Sequence, residues 1–195
     1  SAFPDRTLFR AFTSEMIIRK LAKRDGLHIC NPQQALAELA AAGYQDVLIQ
    51  SLHVINGDEF EKIVTQVDAF RARFLKIGIG LPLLSSHDDF EQLIDAMQAQ
   101  APQLASDERV VFMGHGATHH AFAAYACLDH MLMTRNLPLL VGAVESYPEI
   151  DTVVARLKRD GVRKVHLMPL MLVAGDHAIN DMASEEEDSW KTQLA

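Results

Sequence analysis

Val110-Val111-Phe112-Met113-Gly114-His115-Gly116 sets four consecutive apolar residues against a glycine-framed imidazole. A short apolar run closed by turn residues reads as a strand buried on both faces, the kind found in parallel sheets. Two later runs end the same way. Leu139-Leu140-Val141-Gly142-Ala143-Val144 leads into Glu145, and the run from Val165 to Val173 leads into Gly175-Asp176-His177. In an open parallel α/β sheet, ligands bind outside the carboxyl ends of the strands. Three such ends in one half of the chain are expected to bring His115, Glu145 and His177 to one crevice.

Working outward, strand patterns alternate with helix patterns along the whole sequence, the signature of parallel sheets with crossover helices. Candidate strands are Leu8 to Thr13, Asp46 to Leu52, Leu75 to Leu81, Arg109 to Met113, Leu139 to Val144 and Lys164 to Val173. Asn31-Pro32 opens a helix with Ala35, Leu36, Leu39 and Ala40 on one face and Gly43 at its end. Another starts near Pro148-Glu149, carries Ile150, Val153, Val154 and Leu157, and stops at Gly161. Phe60, Ile63, Val64, Val67 and Phe74 mark a third; Phe90, Leu93, Ile94 and Met97 mark a fourth. Pro102 and the polar Ser106-Asp107-Glu108 separate two halves, 1–104 and 105–195.

The halves share a weak repeat. A shift of 118 positions (161 − 43) lays Gly43, Val47, Leu52, Gly57 and Asp58 over Gly161, Val165, Leu170, Gly175 and Asp176. Glu59 then takes the place of His177, so only the second half carries that imidazole. The same register leaves each half one strand short of a four-stranded unit, and a chain truncated at both ends is the expectation.

Composition bounds the partners. The 195 residues are 49% hydrophobic, enough for a real core. A net charge of −8 argues against a nucleic-acid backbone as ligand, because phosphate binding needs surplus Lys and Arg. No segment approaches the ~18 uninterrupted apolar residues of a membrane span. Cys30 and Cys127 stand far apart without a Cys-x-x-Cys pairing and read as two buried or free thiols in a reducing compartment. A cytoplasmic protein is the expectation. The chain opens at Ser1 rather than Met, which leaves room for a removed leader.

Two imidazoles and a carboxylate form a borderline donor set suited to Zn²⁺, Fe²⁺, Co²⁺ or Ni²⁺, and three protein ligands leave coordination positions open for exchange or catalysis. His177 follows Asp176, a good helix N-cap, and precedes the helix-like Ala178-Ile179-Asn180-Asp181-Met182. A helix N-terminus disfavours imidazolium and keeps that ring available as ligand or base.

Several longer stretches carry a resemblance: Gly114-His115-Gly116-Ala117, the run from Ala121 to Met131, Val144-Glu145-Ser146-Tyr147-Pro148, and the run from His166 to Met182. Arg10-Ala11-Phe12-Thr13-Ser14, the run from Gln50 to Asp58, and Leu81-Pro82-Leu83-Leu84-Ser85-Ser86-His87 extend it over essentially the whole sequence. Together they resemble the anaerobic cobalt chelatases of cobalamin biosynthesis, class II ATP-independent tetrapyrrole chelatases. The resemblance implies a bilobal α/β fold of two similar units, each a parallel sheet flanked by helices, with the tetrapyrrole in the cleft between them. His115 and His177 match the family's two active-site histidines and Glu145 its metal-contacting acid. The implied reaction is insertion of Co²⁺ into sirohydrochlorin or precorrin-2. No cofactor is implied beyond the substrate metal, Fe²⁺ and Ni²⁺ being the alternatives. Family members begin with a further strand and finish with another strand and helix, both absent here. Oligomeric state stays open.

Metallation releases two pyrrole N–H protons, so the expected roles are His115 as ligand then base, His177 as second ligand and proton acceptor, and Glu145 as ligand or proton exit. Gly78-Ile79-Gly80 lacks the third glycine and the lysine of a phosphate-cradling loop, so no nucleotide is implied. Rival readings are iron insertion, a zinc-type hydrolase, and a bilobal carrier of metal or tetrapyrrole without turnover. Arg10, Arg19, Lys20 and Arg24 read as solvated faces that compete with a role in receiving substrate carboxylates. His119 and His120 read either as first-turn surface residues or as residues that line the cleft or relay protons, His166 as a core residue, and Glu185-Glu186-Glu187-Asp188 as a solvated helix start.

Overall fold

The computed structural model describes residues 6–173, 175 and 178–195. By packing, these residues form two units. One holds the described residues up to Ser51 together with Glu59–Leu81; the other holds Leu52–Asp58 and the described part of Pro82–Ala195.

In the first unit, α1 (Glu15–Asp25) is capped by the Ser14 hydroxyl on Ile17 N and has no buried residue. Its basic residues lie on a solvated helix, as read from the sequence. Helix α2 (Pro32–Ala41) begins with a full capping box: Gln34 N donates to Asn31 Oδ1 (2.9 Å), and Asn31 N donates to Gln34 Oε1 (3.0 Å). Strands β1 (Asp46–Gln50) and β2 (Lys76–Gly80) pair in parallel, joined through α3 (Asp58–Phe70). Leu36 and Leu39 of α2, Ile63 and Val67 of α3, and Phe74 close a small core on them.

The second unit carries α4 (His87–Gln100), β3 (Glu108–Gly114), α5 (Ala123–Thr134), β4 (Leu139–Ala143), α6 (Ile150–Arg159), β5 (Lys164–Leu170) and a last short turn, α7 (Trp190–Gln193). Its three strands are all parallel in the order β4-β3-β5. The most apolar run therefore occupies the centre, where both faces are covered and Val110 to Gly114 are all buried. One face packs Ile94 and Met97 of α4 with Tyr125, Leu128 and Leu132 of α5. The other packs Val153 and Leu157 of α6 with Trp190 of α7. Packing and repeat divide the chain differently: α4 lies in residues 1–104, yet its apolar face packs in the core of the second unit.

The repeat is visible in the backbone. Helices α2 and α6 differ by 118 positions at both ends (150 − 32, 159 − 41), as do the starts of β1 and β5 (164 − 46). Both helices end in the same Schellman cap. Gly43 (φ 81°) donates to Ala40 O and Tyr44 to Leu39 O; Gly161 (φ 67°) donates to Lys158 O and Val162 to Leu157 O. A left-handed residue is required at each, and glycine takes that shape without strain.

Three expectations are corrected. Leu8 to Thr13 is not a strand: its only ladder contact is a single parallel bridge from Ala11 to Cys30, and Leu8 is exposed. Strand β5 stops at Leu170 rather than Val173. Leu170 is the last residue with a partner, because β3 ends opposite it at Gly114. His166 is half-buried rather than a core residue, with Nε2 3.1 Å from Glu108 Oε2. Cys30 and Cys127 are free thiols rather than buried ones, Cys30 half-buried and Cys127 exposed. Among the described residues, no helix is long and apolar enough to cross a membrane.

Candidate metal centre at the strand ends

The register aligns the three strand ends of the second unit, with Gly114 opposite Ala143 on one side and Leu170 on the other. His115 follows β3 directly and Glu145 lies two residues past β4, so two of the three expected residues meet. His115 Nδ1 is 3.7 Å from Glu145 Oε2, and both side chains are about half exposed, at 47% and 48%. His177 lies outside the described residues. Among the described residues no group of three or more His, Cys, Asp or Glu is placed to hold a metal ion. The expected trio is represented there by its first two members.

The backbone explains why the pair forms. The β3–β4 pairing continues past the strands, with Val144 N donating to Gly114 O and Glu145 N to His115 O, both at 3.0 Å. Gly116 then turns the chain at φ 88°, and a Cβ there would stand 2.8 Å from Ser146 Oγ and 2.9 Å from Glu145 N. Only glycine permits both the angle and the approach. The Ser146 hydroxyl completes the latch by accepting from Ala117 N at 3.3 Å.

His115 Nδ1 also lies 3.1 Å from the Gly116 carbonyl. The Gly116 carbonyl and, farther off, the Glu145 carboxylate both stand near Nδ1, and such acceptor contacts orient a ring as second-shell groups do in metal sites.

Beneath this loop sits Tyr125 of α5, 1% exposed. A methyl group on Gly114 would stand 2.4 Å from its Cε1. Burial pushes the Tyr125 phenol up from its usual value, and the nearby Gly116 and His115 backbone opposes that rise. The sequence assigns no role to Tyr125 or Ser146. A tyrosine within an apolar helix face, and a serine just past a strand, give no local sign of what they touch.

His119 precedes a short 3₁₀ turn, His120–Phe122, and its Nδ1 accepts from Ala121 N at 3.2 Å. The His119 and His120 rings stack with centroids 3.9 Å apart. His120 then lines a hollow of about 360 Å³ with Asn56, Ser85, His87 and Phe90. Asn56 Nδ2 donates to Ser85 Oγ (3.0 Å) and to Leu84 O (3.2 Å), which ties the Leu52–Asp58 segment to the start of α4.

Comparison with known proteins decides the family. Residues 1–195 match the family described as Cobalt chelatase (CbiK). The chain belongs to the cobalt chelatase family. Among this chelatase's relatives, the sirohydrochlorin cobaltochelatase of Salmonella typhimurium is 65% identical over 191 residues, covering 98% of this chain and 72% of the relative. The sirohydrochlorin cobaltochelatase CbiKC of Nitratidesulfovibrio vulgaris is 35% identical over 199 residues, covering 98% and 69%. The resemblance read from the motifs thus holds over nearly the whole chain.

Proposed function

We propose that this protein inserts Co²⁺ into sirohydrochlorin, with His115, Glu145 and His177 handling the metal and the displaced protons. Membership of the cobalt chelatase family and the 65% identity to a sirohydrochlorin cobaltochelatase support the reaction. The observation that carries the residue roles is the half-exposed His115 beside the half-exposed Glu145 carboxylate, Nδ1 3.7 Å from Oε2, just past the ends of two paired strands.

The reaction balances as one divalent ion in and two protons out. Co²⁺ held on the His115 imidazole passes to the ring nitrogens; its departure uncovers the nitrogen lone pair that held it, which takes one pyrrole proton. The second proton goes to His177. Glu145 lowers the cost of bringing a dication to the site and carries protons back to water. Exchange of metal for proton at one nitrogen needs no energy source, and we propose an ATP-independent reaction on that ground.

The test is anaerobic: sirohydrochlorin absorbance is followed with the purified protein and Co²⁺ or Fe²⁺ at equal concentration. Metallation accelerated over the blank and faster with Co²⁺ is the expected result. Preference for Fe²⁺ would make this an iron-inserting enzyme, and binding without acceleration would make it a carrier.

A further inference from the structure

We propose that the hollow at the starting ends of β3 and β4, lined by Arg109, Arg156 and Arg159, is a binding site for a small ligand with two acidic groups, phosphate or carboxylate. The inference does not depend on the roles proposed for His115 and Glu145, which lie past the other ends of the same strands.

The hollow encloses about 530 Å³, and small-molecule sites span about 300–1,000 Å³. Strand β3 supplies Arg109, the last turn of α6 supplies Arg156 and Arg159, and Leu137 and Leu140 give it an apolar side. Arg109 and Gly114 stand near opposite ends of β3, roughly 17 Å apart at about 3.3 Å per residue. A ligand in the hollow is therefore well separated from the pair at the strand ends.

Charge decides the kind of ligand. Arg156 Nη1 donates to Asp129 Oδ2 at 2.5 Å, and Arg159 Nε donates to Asp160 Oδ1 at 2.9 Å. Last-turn arginines also complement the negative end of their own helix, which accounts for these two without any ligand. Arg109 has no such account. It lies on a strand and is half-buried, and among the described residues it bonds through Nη1 alone, to the carbonyls of Ser106 (2.9 Å) and Glu108 (2.7 Å), with no ion pair. A guanidinium has five N–H donors in a fixed fork, so Nε and Nη2 of Arg109 remain for an acceptor-rich ligand. Phosphate and carboxylate match that fork with two parallel bonds. Asp160 takes only Nε of Arg159, whose side chain is 71% exposed, so Nη1 and Nη2 there can meet a second acidic group. The three charges converge: the Asp160 carboxyl is held below its usual range by its Arg159 hydrogen bond first, then by the charges of Arg159, Arg156 and Arg109, against the effect of burial. In a chain of net charge −8, the hollow reverses the sign locally.

Calorimetric titration of the metal-free protein with inorganic pyrophosphate and with succinate, at one fixed ionic strength, tests the site. Constant ionic strength holds screening constant, so a difference between variants reports the hollow. The expected result is saturable binding of at least one probe, one molecule per chain, weakened about tenfold or more in Arg109→Gln because a charged fork is lost. The tighter probe tells phosphate from carboxylate. Arg71→Gln, which removes an exposed arginine of the first unit, should bind as wild type does. No saturable binding of either probe overturns the proposal, and so does undiminished binding in Arg109→Gln. Equal weakening in Arg71→Gln also overturns it, since net charge alone would then explain the effect. Should Arg109→Gln fail to fold, Arg159→Gln carries the test at an exposed position, with the same loss expected and undiminished binding again decisive against the site.

Discussion

His115 Nδ1 and Glu145 Oε2 stand 3.7 Å apart at the ends of neighbouring strands, too far for a hydrogen bond and close enough for one divalent ion to engage both side chains. Two flexible half-exposed side chains hold this distance because their backbones are bonded, Glu145 N to His115 O. The pair is therefore a property of the β3–β4 register.

Replacing either member should separate their duties. His115→Ala is expected to lose at least about 10²-fold in turnover, since ligand and proton acceptor go together. Glu145→Gln keeps the shape and loses the charge, and should raise the KM for Co²⁺ with a smaller fall in kcat. Initial metallation rates over a Co²⁺ series check both; a His115→Ala protein with full turnover would exclude the proposed role.

Gly116→Ala should destabilise the protein and abolish activity. At φ 88° a side chain is strained by about 1–3 kcal/mol, and the added Cβ meets Ser146 Oγ and the Glu145 backbone. Thermal melting and turnover measured together should both fall.

Asp129 offers a control on stability away from the strand ends. Its Oδ1 accepts from Val141 N at 2.9 Å and its Oδ2 from Arg156 Nη1 at 2.5 Å, tying α5 to β4 and α6. Asp129→Ala leaves a fully buried backbone donor and a largely buried guanidinium without their acceptor, at a cost of about 1–3 kcal/mol. Denaturant midpoints should drop, with activity per folded molecule unchanged.

The Glu108 carboxyl is held below its usual range by Lys164 first and by His166 second. A carboxylate with a lowered folded-state pKa adds stability that is present above its unfolded value of about 4.3 and lost as pH falls through the lower folded value. Wild type should therefore lose more stability than Glu108→Gln on going from pH 5 to below pH 4. Equal acid dependence in paired melting curves would show that the contacts at Glu108 do not contribute.

Much of the architecture was legible because it is written in local signals. Asn31-Pro32 and Gly43 bound α2, and the repeat through Gly161 located α6 and β5 on the same template. The segment from Leu8 to Thr13 misled for the converse reason. Its residues have strand propensity, but a strand exists only where a neighbour offers a ladder, and Ala11 alone finds one. His166 misled because a strand interior does not reveal whether the next strand supplies an acid, and here Glu108 does.

The sequence by itself determined the alternation of strand and helix, the family, and the placement of His115 and Glu145 just beyond two buried strands, since each follows from short-range apolar pattern and motif. Tertiary structure decided that β3 lies between β4 and β5, that α4 packs with the second unit, that His115 stands beside Glu145, and that Tyr125 packs against Gly114. Those depend on contacts between residues distant in sequence, and periodicity carries no record of which distant surface a buried face will meet.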